Sequence, residues 1–145
     1  FAYLLAQDFD NSTCYIITKN KQQLASHQQI QQTFEIKNLT TKSSSLNTTK
    51  LATDITVHDI TTLALLTTTS PEALAQRVAA TTTKYAIIDI PSNKDAEITK
   101  LFKADLKLAQ SFFSHLLTHF WIITFVPIIY TEDTIRACYL LEKRG

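Results

Sequence analysis

Three aspartates stand where chemistry could be done. Asp8 and Asp10 follow the apolar run Tyr3-Leu4-Leu5-Ala6, and Asp89 follows Tyr85-Ala86-Ile87-Ile88, with Pro91 two places on. A short apolar run that ends in a carboxylate reads as a buried strand delivering an acid to the strand's end. In open α/β sheets the ligand crevice lies outside the carboxyl ends of the strands. Two carboxylates on neighbouring strand ends can hold a hard cation and orient a water molecule, which is what phosphoryl transfer asks of a protein. The histidines offer less. His115 and His119 stand one helical turn apart without an evident third ligand, so they read as helix-end residues favourable to the dipole. His58 beside Asp59, and His27 beside Ser26, fit no catalytic triad.

The acids need elements to position them. Residues 1–7 read as an opening strand, and Asp8 to Thr13 as a strand-end loop with helix-cap residues. The glutamine-rich stretch 19–32 reads as a surface helix or loop, Phe34-Glu35-Ile36 as a weak strand, and 37–50 as a flexible Ser/Thr/Asn/Lys loop. Between Leu51 and Thr69 a strand and a short helix are both open. Ser70-Pro71-Glu72 begins a helix that runs to about Ala80: a serine cap, proline in the first turn, and an acid at the positive end of the dipole. The central strand 85–91 follows. Ser92 to Glu97 starts a second helix, whose Ile98, Leu101, Phe102, Leu108, Phe112 and Leu116 share one face. Phe120 to Pro127 reads as a second buried strand with Trp121 in the core, and Thr131-Glu132-Asp133 caps a last helix, 134–143. The order predicts one α/β domain over residues 1–145, a mostly parallel sheet with helices on both faces.

The totals narrow the function. Of 145 residues 45% are hydrophobic and the net charge is +1, so no basic excess points to nucleic acid. Cys14 and Cys138 make no disulfide framework, which suits a reducing, cytoplasmic compartment. Leu108 to Tyr130 carries no Asp, Glu, Lys or Arg over the length of a membrane span. Its Gln110, Ser111, His115, His119 and Pro127 favour a helix followed by a buried strand. Asn11, Asn38 and Asn47 open glycosylation sequons of a kind that a Thr-rich chain makes by chance. The only glycine is Gly145 and there is no methionine, so a glycine-rich phosphate loop is absent and the natural N-terminus is expected upstream of Phe1.

The strand ends, taken in order, resemble a family. Leu4-Leu5-Ala6-Gln7-Asp8-Phe9-Asp10 is similar to the strand ending in Asp-x-Asp of the ParA/MinD class of deviant Walker ATPases. Tyr85-Ala86-Ile87-Ile88-Asp89-Ile90-Pro91 resembles its Walker B strand. Trp121 to Pro127 and Glu132-Asp133-Thr134-Ile135 look most like the StbB/TraL plasmid-stability and conjugation branch. The resemblance implies an N-terminally incomplete P-loop NTPase fold that binds ATP with Mg2+, hydrolyses it as a homodimer, and serves plasmid partition or conjugation through an adaptor or DNA-bound partner. It implies that Asp8 orients the attacking water and that Asp89 is the metal and catalytic carboxylate. Asp10, Pro91, Pro127 and Ile128 would lie about the nucleotide. The chain lacks the family's glycine–lysine loop, so a non-catalytic pseudo-ATPase scaffold and a membrane-associated assembly subunit are the alternatives.

Overall fold

A computed structural model describes residues 2–91, 106–131 and 134–145. The chain divides into two compact units, Phe1–Thr49 and Lys50–Gly145, each with its own sheet.

In the first unit, helix α1 (Ala2–Asp8) leads to strand β1 (Cys14–Thr18), helix α2 (Lys21–Thr33) and strand β2 (Leu39–Ser43). β1 and β2 are parallel, with Cys14 opposite Leu39 and Thr18 opposite Ser43. The opening residues are therefore a helix where a strand was expected. The run holds no β-branched residue, and its Ala, Leu and Gln favour the helix. Asn20 caps α2 by accepting from the backbone N–H groups of Gln22 and Gln23. No residue of α2 is buried, which accounts for its glutamine-rich composition. Phe34 closes that helix and Glu35 turns the chain in the left-handed region at φ 51°, so Phe34 to Ile36 forms a turn rather than a strand. β2 then falls inside the segment 37–50.

Ala6, Ile36 and Leu39 form the core of this unit, with Tyr3, Cys14 and Ile16 packed against them. Asn38 ties it together, its side-chain amide donating to the carbonyls of Ala6, Phe9 and Ser12 at 2.9, 3.2 and 2.9 Å. In the folded chain that amide is committed to the backbone, which speaks against the sequon at Asn38 as a modification site.

The second unit runs β3 (Thr53–His58), a 3₁₀ helix (Ile60–Thr67), α3 (Pro71–Thr81), β4 (Thr82–Pro91), α4 (Leu106–His119), β5 (Phe120–Thr131) and β6 (Thr134–Lys143). Its strands lie in the order β3-β4-β6-β5. β3 and β4 are parallel, whereas β6 is antiparallel to both of its neighbours. The sheet is mixed where a mostly parallel one was expected, and the final helix is a strand. Between β4 and β5 lies one strand's width of unpaired backbone, and Thr134–Lys143 fills both ladders at once. That long-range gain outweighs the local capping signal. The expected start of the helix before β5 lies outside the described residues.

The α3 cap forms as the sequence requires, Ser70 Oγ accepting from Ala73 N at 3.2 Å with Pro71 in the first turn. α3 buries Leu74, Ala75 and Val78, and α4 buries Ala109, Phe112 and Leu116, spacings that put one stripe inward. The two helices pack on each other and on the sheet face that carries Ala86, Ile88, Ile90 and Leu141, all buried. Phe113 of α4 meets the Tyr139 ring on that face at 4.5 Å. At the far end Lys143 Nζ donates to the carbonyls of Ala79 and Thr82 at 2.5 and 2.7 Å, closing α3 with a cation at its negative end.

β5 departs from its expected burial. It is the sheet's edge, and Trp121, 56% exposed, is no core residue. The Arg144 guanidinium lies over the Trp121 ring, 3.3 Å from its centroid. Ile55 and Val57 on β3 are also about half exposed. β5 carries two features that discourage further pairing at an edge, Pro127 and a bulge between Ile122 and Thr124.

Leu141 is fully buried and stands opposite both Ala86 and Ile122. Leu141→Ala should therefore cost about 3 kcal/mol of stability, read as a lowered urea midpoint. Leu4→Ala, at a side chain 63% exposed, should cost less than about 1 kcal/mol.

Candidate functional site

Because β3 and β4 run in parallel, their carboxyl ends fall together, and this is the end at which open α/β sheets hold ligands. His58 is the last residue of β3 and stands opposite Ile88. Asp59 follows it and caps the 3₁₀ helix, its carboxylate accepting from the backbone N–H of Thr61 at 2.9 Å and from the Thr61 hydroxyl. On β4 the same end carries Asp89, Ile90 and Pro91. Arg136 of β6 lies opposite both Pro91 and Ile128 and is buried although it is charged.

His58 is the unusual member. The residue keeps partial exposure, but its Nε2 is sealed from solvent and has no hydrogen-bond partner among the described residues. Buried polar atoms are nearly always partnered, so such an orphan asks for a reason. Burial pushes its pKa down to about 4, against a smaller upward pull from the Asp59 carboxylate. The imidazole is neutral at physiological pH. It can donate or accept through Nε2 but brings no charge.

Asp89 lies opposite Cys138 in the ladder. Burial raises the Cys138 thiol above its usual range, and the Asp89 carboxylate adds to that shift by disfavouring a second negative charge. That thiol is consequently a poor nucleophile at neutral pH. Asp54 behaves in the opposite way. The Thr83 hydroxyl and the Lys84 ammonium hold its carboxyl below the usual range, in an exposed ion pair of 3.0 Å that links the starts of β3 and β4.

The residues predicted from sequence fall into two groups. Asp8 ends helix α1 and Asp10 lies in the turn before β1, both exposed and both in the first unit. Asp10 lines an open depression of about 460 Å3 with Ala6, Gln7 and residues 34–38. This depression sits at the amino ends of β1 and β2, the opposite end from the usual crevice. Asp89, Pro91, Pro127 and Ile128 belong to the second unit, where β6 brings Pro91 and Ile128 to either side of Arg136. Sequence reasoning set His58 and Asp59 aside as no triad and missed Arg136. Arg136, a lone cation just before the apolar run Ala137 to Leu141, left a signal in the sequence, whereas nothing in the sequence sets His58 and Asp59 apart.

Among the described residues no group of three His, Cys, Asp or Glu could hold a metal ion, so His115 and His119 gain no third ligand there. No helix among them is long and apolar enough to cross a membrane. The charge-free stretch 108–130 divides into α4 and β5.

No protein-family model matches the sequence, and no curated protein matches it at a significant level. Solved structures do match. The N-methyltransferase NodS from Bradyrhizobium japonicum WM9 is 12% identical at a TM-score of 0.67, over 92% of this chain and 74% of that one. The [4+2]-cyclase SpnF is 12% identical at 0.74, over 98% and 70%. The magnesium protoporphyrin IX methyltransferase of Synechocystis PCC 6803, solved with bound S-adenosyl-L-homocysteine, is 13% identical at 0.71, over 99% and 68%.

These matches overturn the ParA/MinD resemblance and what it implied, namely ATP with Mg2+, hydrolysis, plasmid partition or conjugation, and the pseudo-ATPase and membrane-subunit alternatives. An apolar strand ending in Asp-x-Pro is shared by many α/β proteins, and here a β5–β6 hairpin stands where a parallel, P-loop-type sheet was expected.

The His58 shift has a testable sign. The unfolded chain takes up the proton first, so stability is intact above pH 6.5 and drains as pH falls towards 4. Between pH 7 and pH 4 the wild type should lose on the order of 3 kcal/mol from this group. Urea unfolding of His58→Leu should lack that component.

The chain has the α/β fold of these methyltransferases and of the cyclase that shares it.

Proposed function

We propose that this chain is the core of an enzyme of the S-adenosylmethionine-dependent methyltransferase type, with its nucleoside site at the carboxyl ends of β3 and β4. The observation that carries the reading is the likeness over nearly the whole chain to a methyltransferase solved with S-adenosyl-L-homocysteine. When bound, S-adenosylmethionine supplies an electrophilic methyl group on a cationic sulfonium sulfur.

The described residues fit part of such a molecule. Ile88 and Ile90 supply buried apolar strand positions at the carboxyl end of β4. Asp59 and Asp89 place carboxylates at the same end as the buried Arg136 cation. Asp59 is held in place by Thr61. The fit is incomplete in one respect. The only glycine is Gly145, so no glycine turn among these residues brings bare backbone up to the ligand. A fold does not fix a reaction, and SpnF is named as a cyclase. Binding is therefore the first property to measure.

Thermal unfolding and calorimetry with S-adenosyl-L-homocysteine, and separately with ATP and Mg2+, test the reading. At a hundred times the dissociation constant the homocysteine analogue should add about 2.7 kcal/mol of stability, and ATP should add none. Stabilisation by ATP alone would sink the proposal.

A further inference from the structure

We infer that β5 is an interface between two copies of this chain, which meet in solution through the apolar side chains of that strand. The inference stands apart from the methyltransferase-type reading, because it concerns the outer strand of the sheet and not the ends of β3 and β4.

The side chains of β5 do not suit its place. Among the described residues it is the last strand of its sheet and pairs with β6 alone. A strand with one covered face alternates apolar and polar residues, and natural edges carry charges that repel further strands. β5 does neither. From Phe120 to Tyr130 it holds no Asp, Glu, Lys or Arg. Trp121, Ile122, Ile123, Phe125, Val126 and Ile129 are each between 44 and 72% exposed. Ile122 and Phe125 stand opposite Leu141 and Tyr139, on the face that α3 and α4 cover. Trp121 and Val126 stand opposite Glu142 and Cys138, on the other face. Apolar residues on both faces are the pattern of an interior strand, yet the fold leaves this one at the rim.

The exposed area is large enough to hold a partner. Six such side chains, about half exposed, present roughly 600 Å2 in one strip. Lone exposed apolar side chains are ordinary, but a contiguous strip of several hundred Å2 marks an interaction site. A stable interface removes about 800 Å2 from each partner, so β5 supplies most of one.

A second copy fits this strip. A two-fold contact sets the strip against itself, so a charge on it could meet its like. β5 has none to oppose. Trp121, with the Arg144 guanidinium over its ring, brings together the residue types that anchor interfaces. Pro127 and the bulge between Ile122 and Thr124 interrupt the outer backbone edge. The copies therefore meet by side chains and not by an extended ladder. Because a two-fold contact uses the same strip on both copies, assembly closes at the dimer.

Sedimentation of the full chain over a range of concentrations tests the inference. The wild type should reach twice the 16.4 kDa mass of the chain, with a dissociation constant on the order of 10 µM. Val126→Glu should weaken the dimer roughly thirtyfold while leaving the urea midpoint unchanged. Leu4→Glu, at an exposed apolar side chain of the first unit, should leave the dimer intact. Trp121 is the only tryptophan, so wild-type emission should shift to the red on dilution through the same range. That readout stands even if the glutamate variant fails to fold. A wild type that stays monomeric up to millimolar concentration overturns the inference, and so does a dimer that a folded Val126→Glu chain retains. A monomer whose Trp121 emission shifts only on phosphatidylcholine vesicles gives the strip to a lipid surface and overturns it too.

Discussion

The second unit depends on one requirement, that a strand buried in a sheet must satisfy hydrogen bonds on both of its edges. β4 meets it with β3 on one side and β6 on the other, in parallel on the first and antiparallel on the second. Because β6 stands beside β4, β5 is pushed to the rim, and its Trp121, Phe125 and Val126 become exposed. Because β6 ends beside the last turn of α3, Lys143 can reach the carbonyls there. The helix pair α3–α4 then has one apolar face to cover. Position, more than composition, decides what each segment becomes.

That dependence explains what was legible in the sequence. The start of α3 was readable because a cap is local, with Ser70, Pro71 and Glu72 carrying the whole signal. β4 was readable because a run of apolar residues bounded by turn chemistry has few other uses. Thr134–Lys143 was not readable as a strand, since its ten residues are chosen by β4 and β5, which lie elsewhere in the chain. The opening residues failed for another reason. Ala2–Asp8 is helical by propensity, and the expectation of a strand followed the aspartates rather than the side chains that precede them.

The site was partly legible in the same sense. Asp89 and Pro91 do lie at the end of a central strand, as the apolar run before them predicts. The step from that placement to a particular cofactor was unsupported, because an acid at a strand end serves many chemistries on many α/β folds. His58 illustrates what sequence cannot supply. Its neighbours Val57 and Asp59 do not distinguish it, and only the sealed surroundings of Nε2 give the residue its interest.

The place of β6 also bears on how the chain is made. Synthesis delivers α3, β4, α4 and β5 before the strand that joins β4 to β5 exists. Until Lys143 has left the ribosome, the inner edge of β5 and one edge of β4 present unpaired backbone groups on strands rich in apolar side chains. This unit therefore cannot close stepwise during translation. It waits for its last strand, and the exposed interval is the one during which chaperones that hold unpaired strands would act on it.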